Sequence, residues 1–179
     1  MALKRFPIKK PALEPLEIPA QTRTMYPPPY DAVVRGRSKR RLGPALGLTD
    51  LGVNLTTLMP GAASAMRHYH SNNDEFVYIV DGEATLVTNA GDQLLSTGMC
   101  AGFPKGKKDG HQLVNKGDRP VIYLEAGTNL APDLIVYPDT KLFLYEDDKG
   151  RAEFSKTMPK VGGKTKAPAK GKTKAKKKR

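Results

Sequence analysis

The chain has three histidines in 179 residues, and all of them fall in two short segments that could assemble one metal centre. The first segment is Arg67-His68-Tyr69-His70-Ser71-Asn72-Asn73-Asp74-Glu75-Phe76. The second is Pro104-Lys105-Gly106-Lys107-Lys108-Asp109-Gly110-His111, followed by Asn115. His68 and His70 are two positions apart, so on a strand both imidazoles leave from the same face. Ser71-Asn72-Asn73-Asp74 reads as a turn, after which Glu75 opens a strand expected to return beside the first. Two imidazoles and a carboxylate in this relation form the facial triad of many non-haem iron sites. His111, from a later strand, could supply a fourth ligand, leaving open positions for water, substrate or dioxygen. The alternative is three unrelated surface or core histidines. The glutamate, the turn residues and the later Pro-x-Gly…His segment together favour a shared site.

Such a site needs strands to carry it. From Leu51 the chain runs in short apolar, β-branched stretches separated by Gly, Pro, Asn and Asp. Strands are expected at Leu51–Met59, Phe76–Val80, Ala84–Thr88, Gln93–Leu95, Met99–Phe103, Gly110–Asn115 and Val121–Ala126. Two more are expected at Leu134–Tyr137 and Leu142–Tyr145. Closely spaced short strands argue for an all-β sandwich or barrel. No long stretch has helical periodicity, and no internal repeat points to two fused barrels.

Taken together, these residues resemble the two motifs of the cupin superfamily. His68-Tyr69-His70, Glu75 and Gly82 are similar to the first motif; Gly98, Pro104, Gly106, His111 and Asn115 are similar to the second. The Gly61–His68 spacing is one longer than usual and the Gly106–His111 spacing two longer, and Gly110 could absorb the latter in a bulge. The resemblance implies a single-domain double-stranded β-helix, or jelly-roll, barrel with metal ligands His68, His70, Glu75 and His111. Imidazole and carboxylate ligands suit one divalent transition metal: Fe, Mn, Ni or Zn. Asp74-Glu75-Phe76-Val77-Tyr78 and Cys100-Ala101-Gly102-Phe103-Pro104 are similar to a group of bacterial single-domain cupins, some named sugar-phosphate isomerase-like.

One fold hosts many chemistries, so two functional classes stay open. The first is an enzyme acting on a small oxygenated or anionic metabolite, of isomerase, lyase or dioxygenase type. The second is a non-catalytic module that senses a ligand or metal. Among other residues, Cys100 reads as a small buried hydrophobe and Tyr69 and Tyr78 as barrel core. Asn115 reads as a turn residue, and Lys105, Lys107 and Lys108 as loop lysines that could draw in an anion.

The formal charge of +12 is uneven. Residues 1–43 carry +7, residues 44–154 carry −6, and residues 155–179 carry +11. The expected organisation is a Pro-rich, basic N-terminal arm (1–43), a mildly acidic barrel (44–154) and a disordered Lys-rich tail (155–179). The arm contains Pro27-Pro28-Pro29, which cannot lie inside a helix or central strand, and is expected to lie over the body or a partner subunit. Arg35–Arg41 reads as a nucleic-acid or phosphate contact, or as a solvated surface strand or loop. The tail could contact nucleic acid or another polyanion, or could simply aid solubility. A homodimer paired through the barrel is expected. A single cysteine, no secretory h-region and no apolar run near the ~20 residues of a membrane span lead to an expectation of a cytoplasmic location.

Overall fold

Alternation of buried and exposed residues along β4 (Glu75–Asp81) shows how the chain builds its barrel. Val77 and Ile79 point into the core, while Phe76, Tyr78 and Val80 on the opposite face are 40–43% exposed. The computed structural model describes residues 10–159, and within them twelve strands form three antiparallel sheets. The five-stranded sheet has the order β1 (Arg37–Arg41), β2 (Leu51–Leu58), β9 (Val121–Thr128), β4, β7 (Cys100–Phe103). The three-stranded sheet is β6 (Gly91–Ser96), β5 (Glu83–Thr88), β8 (Gln112–Val114). The four-stranded sheet is β12 (Ala152–Ser155), β11 (Leu142–Glu146), β10 (Asp133–Tyr137), β3 (Tyr69–His70). Two 3₁₀ turns (Pro15–Glu17 and Tyr30–Val34) and one short α-helix, α1 (Leu42–Leu46), accompany the strands, and α1 ends at Gly47, whose φ of 78° only glycine adopts readily. The architecture is an all-β jelly roll.

The main core is the inward row shared by the sheets: Leu58, Ile79, Ala84, Leu86, Val121 and Tyr123. Truncating a fully buried member such as Ile79→Ala is expected to cost about 2–5 kcal/mol, read from the midpoint of chemical denaturation. A loss below about 1 kcal/mol would mean that this row is not the core.

The expected strands correspond to β2 and to β4 through β11. Three strands lacked an apolar alternation to announce them. β1, Arg-Ser-Lys-Arg-Arg, is a strand because its backbone pairs with β2 from Arg37↔Leu58 to Arg41↔Asn54. It lies in the stretch read as arm, yet it is the edge of the five-stranded sheet. β3 is two residues long and pairs with β10. β12 pairs with β11 and takes in Ser155, the first residue of the stretch read as tail; residues 160–179 lie outside the described residues.

Parts of the described N-terminal stretch contact the barrel. Gln21 and Lys39 exchange backbone hydrogen bonds of 2.9 Å, which covers the free edge of β1. Tyr26 packs edge-on against Tyr137 (centroids 5.7 Å apart) and against Phe154, and its hydroxyl accepts from the Met66 N–H. Arg35 and Arg41 of the basic run at 35–41 are exposed, while the basic side chains between them are engaged. Arg37 is buried and donates to the Ser64 carbonyl at 2.6 Å, Lys39 turns inward, and Arg40 donates to the Ile18 carbonyl.

Candidate metal centre

His68 and His111 face each other directly across a two-residue antiparallel bridge. Their backbones exchange hydrogen bonds of 3.1 and 2.9 Å, so both imidazoles leave from one face, with ring centroids 4.9 Å apart. His70 follows on β3, opposite Ile135. Glu75 begins β4, between Phe103 of β7 and Gly127 of β9.

The expectation that Glu75 returns on a strand beside the histidines is corrected here. β3 and β4 belong to different sheets, and the carboxylate meets the imidazoles across the barrel interior. The intervening loop is tied to the β9–β10 connection and so cannot close as a hairpin. The buried Asn73 accepts from the Leu130 N–H (2.7 Å) and the Thr128 hydroxyl (3.0 Å), and donates to the Leu130 carbonyl. Gly127 makes the approach possible, since a Cβ there would lie 2.8 Å from the Asp74 carbonyl oxygen.

Each imidazole is oriented through its Nδ1. In His68, Nδ1–H donates to the Met66 carbonyl (2.8 Å); in His70, to Asp133 Oδ2 (2.5 Å); in His111, to the Asp109 carbonyl (3.3 Å). The three Nε2 atoms then converge on one carboxylate. His68 and His70 lie 3.6 and 3.5 Å from Glu75 oxygens, and His111 lies 2.8 Å away. Phe103 stacks on the His111 ring, with centroids 3.6 Å apart and planes 2° from parallel.

Electrostatics match this geometry. Burial pushes the Glu75 carboxyl up, but hydrogen bonds from His111 and His68 and the nearby imidazole charge outweigh it and hold it well below its ordinary value. Burial likewise pulls His70 down, but Asp133 and Glu75 prevail and raise it. Asp133, only 2% exposed, also accepts from the Ser71 hydroxyl and the Asn72 N–H. Against the effect of burial, its partners bring its pKa down to about 2.

The donor set fits a metal ion. Ligand atoms each about 2.0–2.2 Å from one ion sit roughly 3–3.5 Å apart, close to the spacings of His68 and His70 from Glu75. His68, His70 and Glu75 offer ligand atoms that all lie within 4.8 Å of one another. His111 falls outside that tight group and instead contacts Glu75 directly. A proton on Nε2 or a shared cation would satisfy that contact.

The other sequence candidates divide. Lys107 lines a small recess of about 30 Å³ beside Glu75 and His111, together with Tyr69, whereas Lys105 and Lys108 line neither this recess nor the larger cavity beside the histidines. Gly110 permits a close approach, since a Cβ there would meet Pro138 Cγ at 3.0 Å. Asn115 is fully buried and organises its loop, donating to the Leu58 and Arg119 carbonyls and accepting from the Gly117 N–H. Cys100 is exposed, not buried, because it pairs with Tyr78 on the outward phase of β7 and β4; Tyr78 for the same reason is not core.

The centre opens on a cavity of about 200 Å³ that Lys39, Asn54, Tyr123 and Glu125 also line. Sequence reasoning missed these residues and Asp133. A signal existed for Glu125, which keeps the inward phase of Val121 and Tyr123 and so places an acid on the inner face.

The cupin domain family model matches residues 54–127, the stretch that contains all four candidate ligands. The structure of a sugar phosphate isomerase of the cupin superfamily from Silicibacter pomeroyi is 39% identical. The match covers 81% of this chain and 92% of that one, with a TM-score of 0.78. The chain is a cupin. A candidate sugar phosphate isomerase from Acidithiobacillus ferrooxidans is 29% identical over 67% of this cupin and 76% of its own chain, with a TM-score of 0.63. A polyketide cyclase from Streptomyces resistomycificus, at 15% identity, covers 68% of this chain and 82% of its own at a TM-score of 0.56, and shares the fold alone. No curated protein matches this cupin. Among its described residues, no helix is long and apolar enough to cross a membrane.

Proposed function

We propose that this cupin holds one divalent transition metal (Fe, Mn, Ni or Zn) on His68, His70 and Glu75, with His111 as fourth ligand, and acts on a small oxygenated or anionic metabolite. One observation carries the reading: three imidazoles with Nδ1 already engaged present their Nε2 atoms to one carboxylate at the wall of a cavity. The metal, when bound, would supply a Lewis acid for a substrate oxygen or a site for dioxygen. Asp133 holds His70 in register, and the stacked Phe103 fixes the His111 ring. Likeness to the Silicibacter and Acidithiobacillus proteins favours isomerase-type chemistry on a sugar phosphate over oxygenase chemistry.

Elemental analysis of untagged protein should find about one transition metal per chain, and turnover on a panel of sugar phosphates and oxo-acids should depend on it. Protein without metal, and without activity after metal is added, would rule this reading out.

A second reading, a sensing module tethered by its tail, is favoured by the +11 charge of residues 155–179. It predicts tight ligand binding without turnover. It also predicts DNA binding that vanishes on deleting residues 160–179 and weakens steeply with salt.

We also propose that the outward face of the five-stranded sheet pairs with a second copy of the chain. Phe76, Tyr78 and Val80 remain 40–43% exposed there, next to Leu55, Ile122 and Leu124 in the adjoining strands. Light scattering is expected to give a dimer for the wild type and a monomer for Tyr78→Lys. Equal masses for the two proteins would exclude this face.

A further inference from the structure

One row along the inner face from Glu75 lies a second polar group that the metal does not need. Glu125 of β9 faces Val77 on one side and Asn54 on the other, and Lys39 reaches it from edge strand β1. Its Oε1 accepts from Lys39 Nζ (2.5 Å) and Asn54 Nδ2 (2.8 Å), and its Oε2 accepts from the Tyr123 hydroxyl (3.0 Å). All four side chains line the cavity that His68, His70 and Glu75 line.

As a structural staple this arrangement would be weak, because a partly buried ion pair contributes about as much as a well-packed apolar pair in its place. Its hydrogen-bonding capacity is also only partly used. A carboxylate offers about four acceptor sites and an ammonium three donors. Glu125 has filled three acceptor sites, and Lys39 one donor, in these contacts. What remains is an acceptor beside free donors, with the Asn54 carbonyl close by, on a cavity wall whose ion pair is neutral overall. Adjacent hydroxyls, each both donor and acceptor, complement such a wall; a phosphate does not. At about 200 Å³ the cavity lies below the roughly 300–1,000 Å³ of sites for drug-sized ligands, which limits the ligand to a small metabolite.

We infer that Lys39, Asn54 and Glu125 form a subsite for the hydroxylated carbon chain of a small sugar derivative whose carbonyl end lies at the histidine–Glu75 centre. This rests on the metal-dependent reading above and names the part of the substrate that the second pole of the cavity recognises. Lys39 lies outside the stretch matched by the family model, residues 54–127. The N-terminal strand would therefore contribute to specificity as well as closing a sheet edge.

The test is calorimetry on the metal-containing protein with ribose 5-phosphate, glucose 6-phosphate and their 3-deoxy analogues, which lack a hydroxyl of the chain rather than the one beside the carbonyl. Metal content and melting temperature are measured alongside. Lys39→Met, Glu125→Gln and Asn54→Ala are each expected to weaken binding of the fully hydroxylated sugars about tenfold or more, the scale of a hydrogen bond to a charged group. Metal content should stay unchanged, and the preference for the hydroxylated over the deoxy sugars should disappear. Asn54→Ala leaves the ion pair intact and so reports on recognition even if the charge variants fold poorly. The exchange Lys39→Glu/Glu125→Lys restores an ion pair; it should recover melting temperature but not affinity. Unchanged affinity in the single variants, or affinity recovered by the exchange, overturns the subsite while leaving the metal reading intact. A metal-containing wild type that binds none of these sugars also overturns the subsite alone. A wild type with no metal overturns both.

Discussion

Untagged His70→Ala protein is expected to come from purification with less than about a tenth of the metal of the wild type, at an affinity lowered by more than about 100-fold. The magnitude follows from the position of His70 in the site. Loss of an outer hydrogen-bonding partner of a ligand typically weakens metal affinity by about 10–100-fold, and His70 is itself one of the three proposed ligands whose donor atoms lie within 4.8 Å of one another. Its removal also leaves Asp133, a carboxylate that is 2% exposed, without its nearest hydrogen-bond donor. Elemental analysis and competition with a coloured chelator measure both effects. The fold should persist, because β3 pairs with β10 through its backbone. Metal content equal to the wild type would refute the assignment of His70.

Asp133→Asn should have the next largest effect, weakening metal affinity by about 10–100-fold while every proposed ligand stays in place. The carboxylate accepts from His70 on one oxygen and from Ser71 and Asn72 on the other. An amide has one acceptor oxygen, so either His70 or the Ser71–Asn72 turn would meet an NH₂ group. In the metal-free protein the same contact sets a pH dependence. The Asp133 carboxyl is lowered to about 2, so its contribution is complete above the ordinary carboxyl value and is lost as pH falls toward 2. The displacement corresponds to about 2 kcal/mol. His70 is raised, so its contribution is present below its ordinary value of 6.5 and is lost as pH climbs through the raised value. Denaturation of metal-stripped wild type should therefore show its Asp133–His70 stabilisation between about pH 4 and 6.5, a feature absent from Asp133→Asn. Parallel stability curves for the two proteins would remove Asp133 from the site.

Much of this cupin was legible in its residues. Alternating apolar side chains and turn glycines marked β2 and β4 through β11, because those strands bury one face and expose the other. The His-x-His pair, Glu75 and His111 stood out because imidazoles are scarce in this chain and the spacing of the first two suits a strand. Other features had no local signature. β1 is almost entirely basic, and only its pairing with β2 and the inward turn of Arg37 and Lys39 make it part of the barrel. Cys100 and Tyr78 had apolar identities compatible with core positions, but the register of β7 against β4 set both outward.

Short-range pattern thus determined which residues could ligate and which segments could be strands, since both depend on chemistry and spacing within a few positions. Tertiary structure alone decided how they meet. It brought Glu75 to the histidines from the opposite sheet, placed Asp133 behind His70 from sixty-three positions away, and turned Lys39 and Glu125 into the same cavity. These outcomes depend on strand order and on hydrogen bonds between distant loops, which no local window of sequence contains.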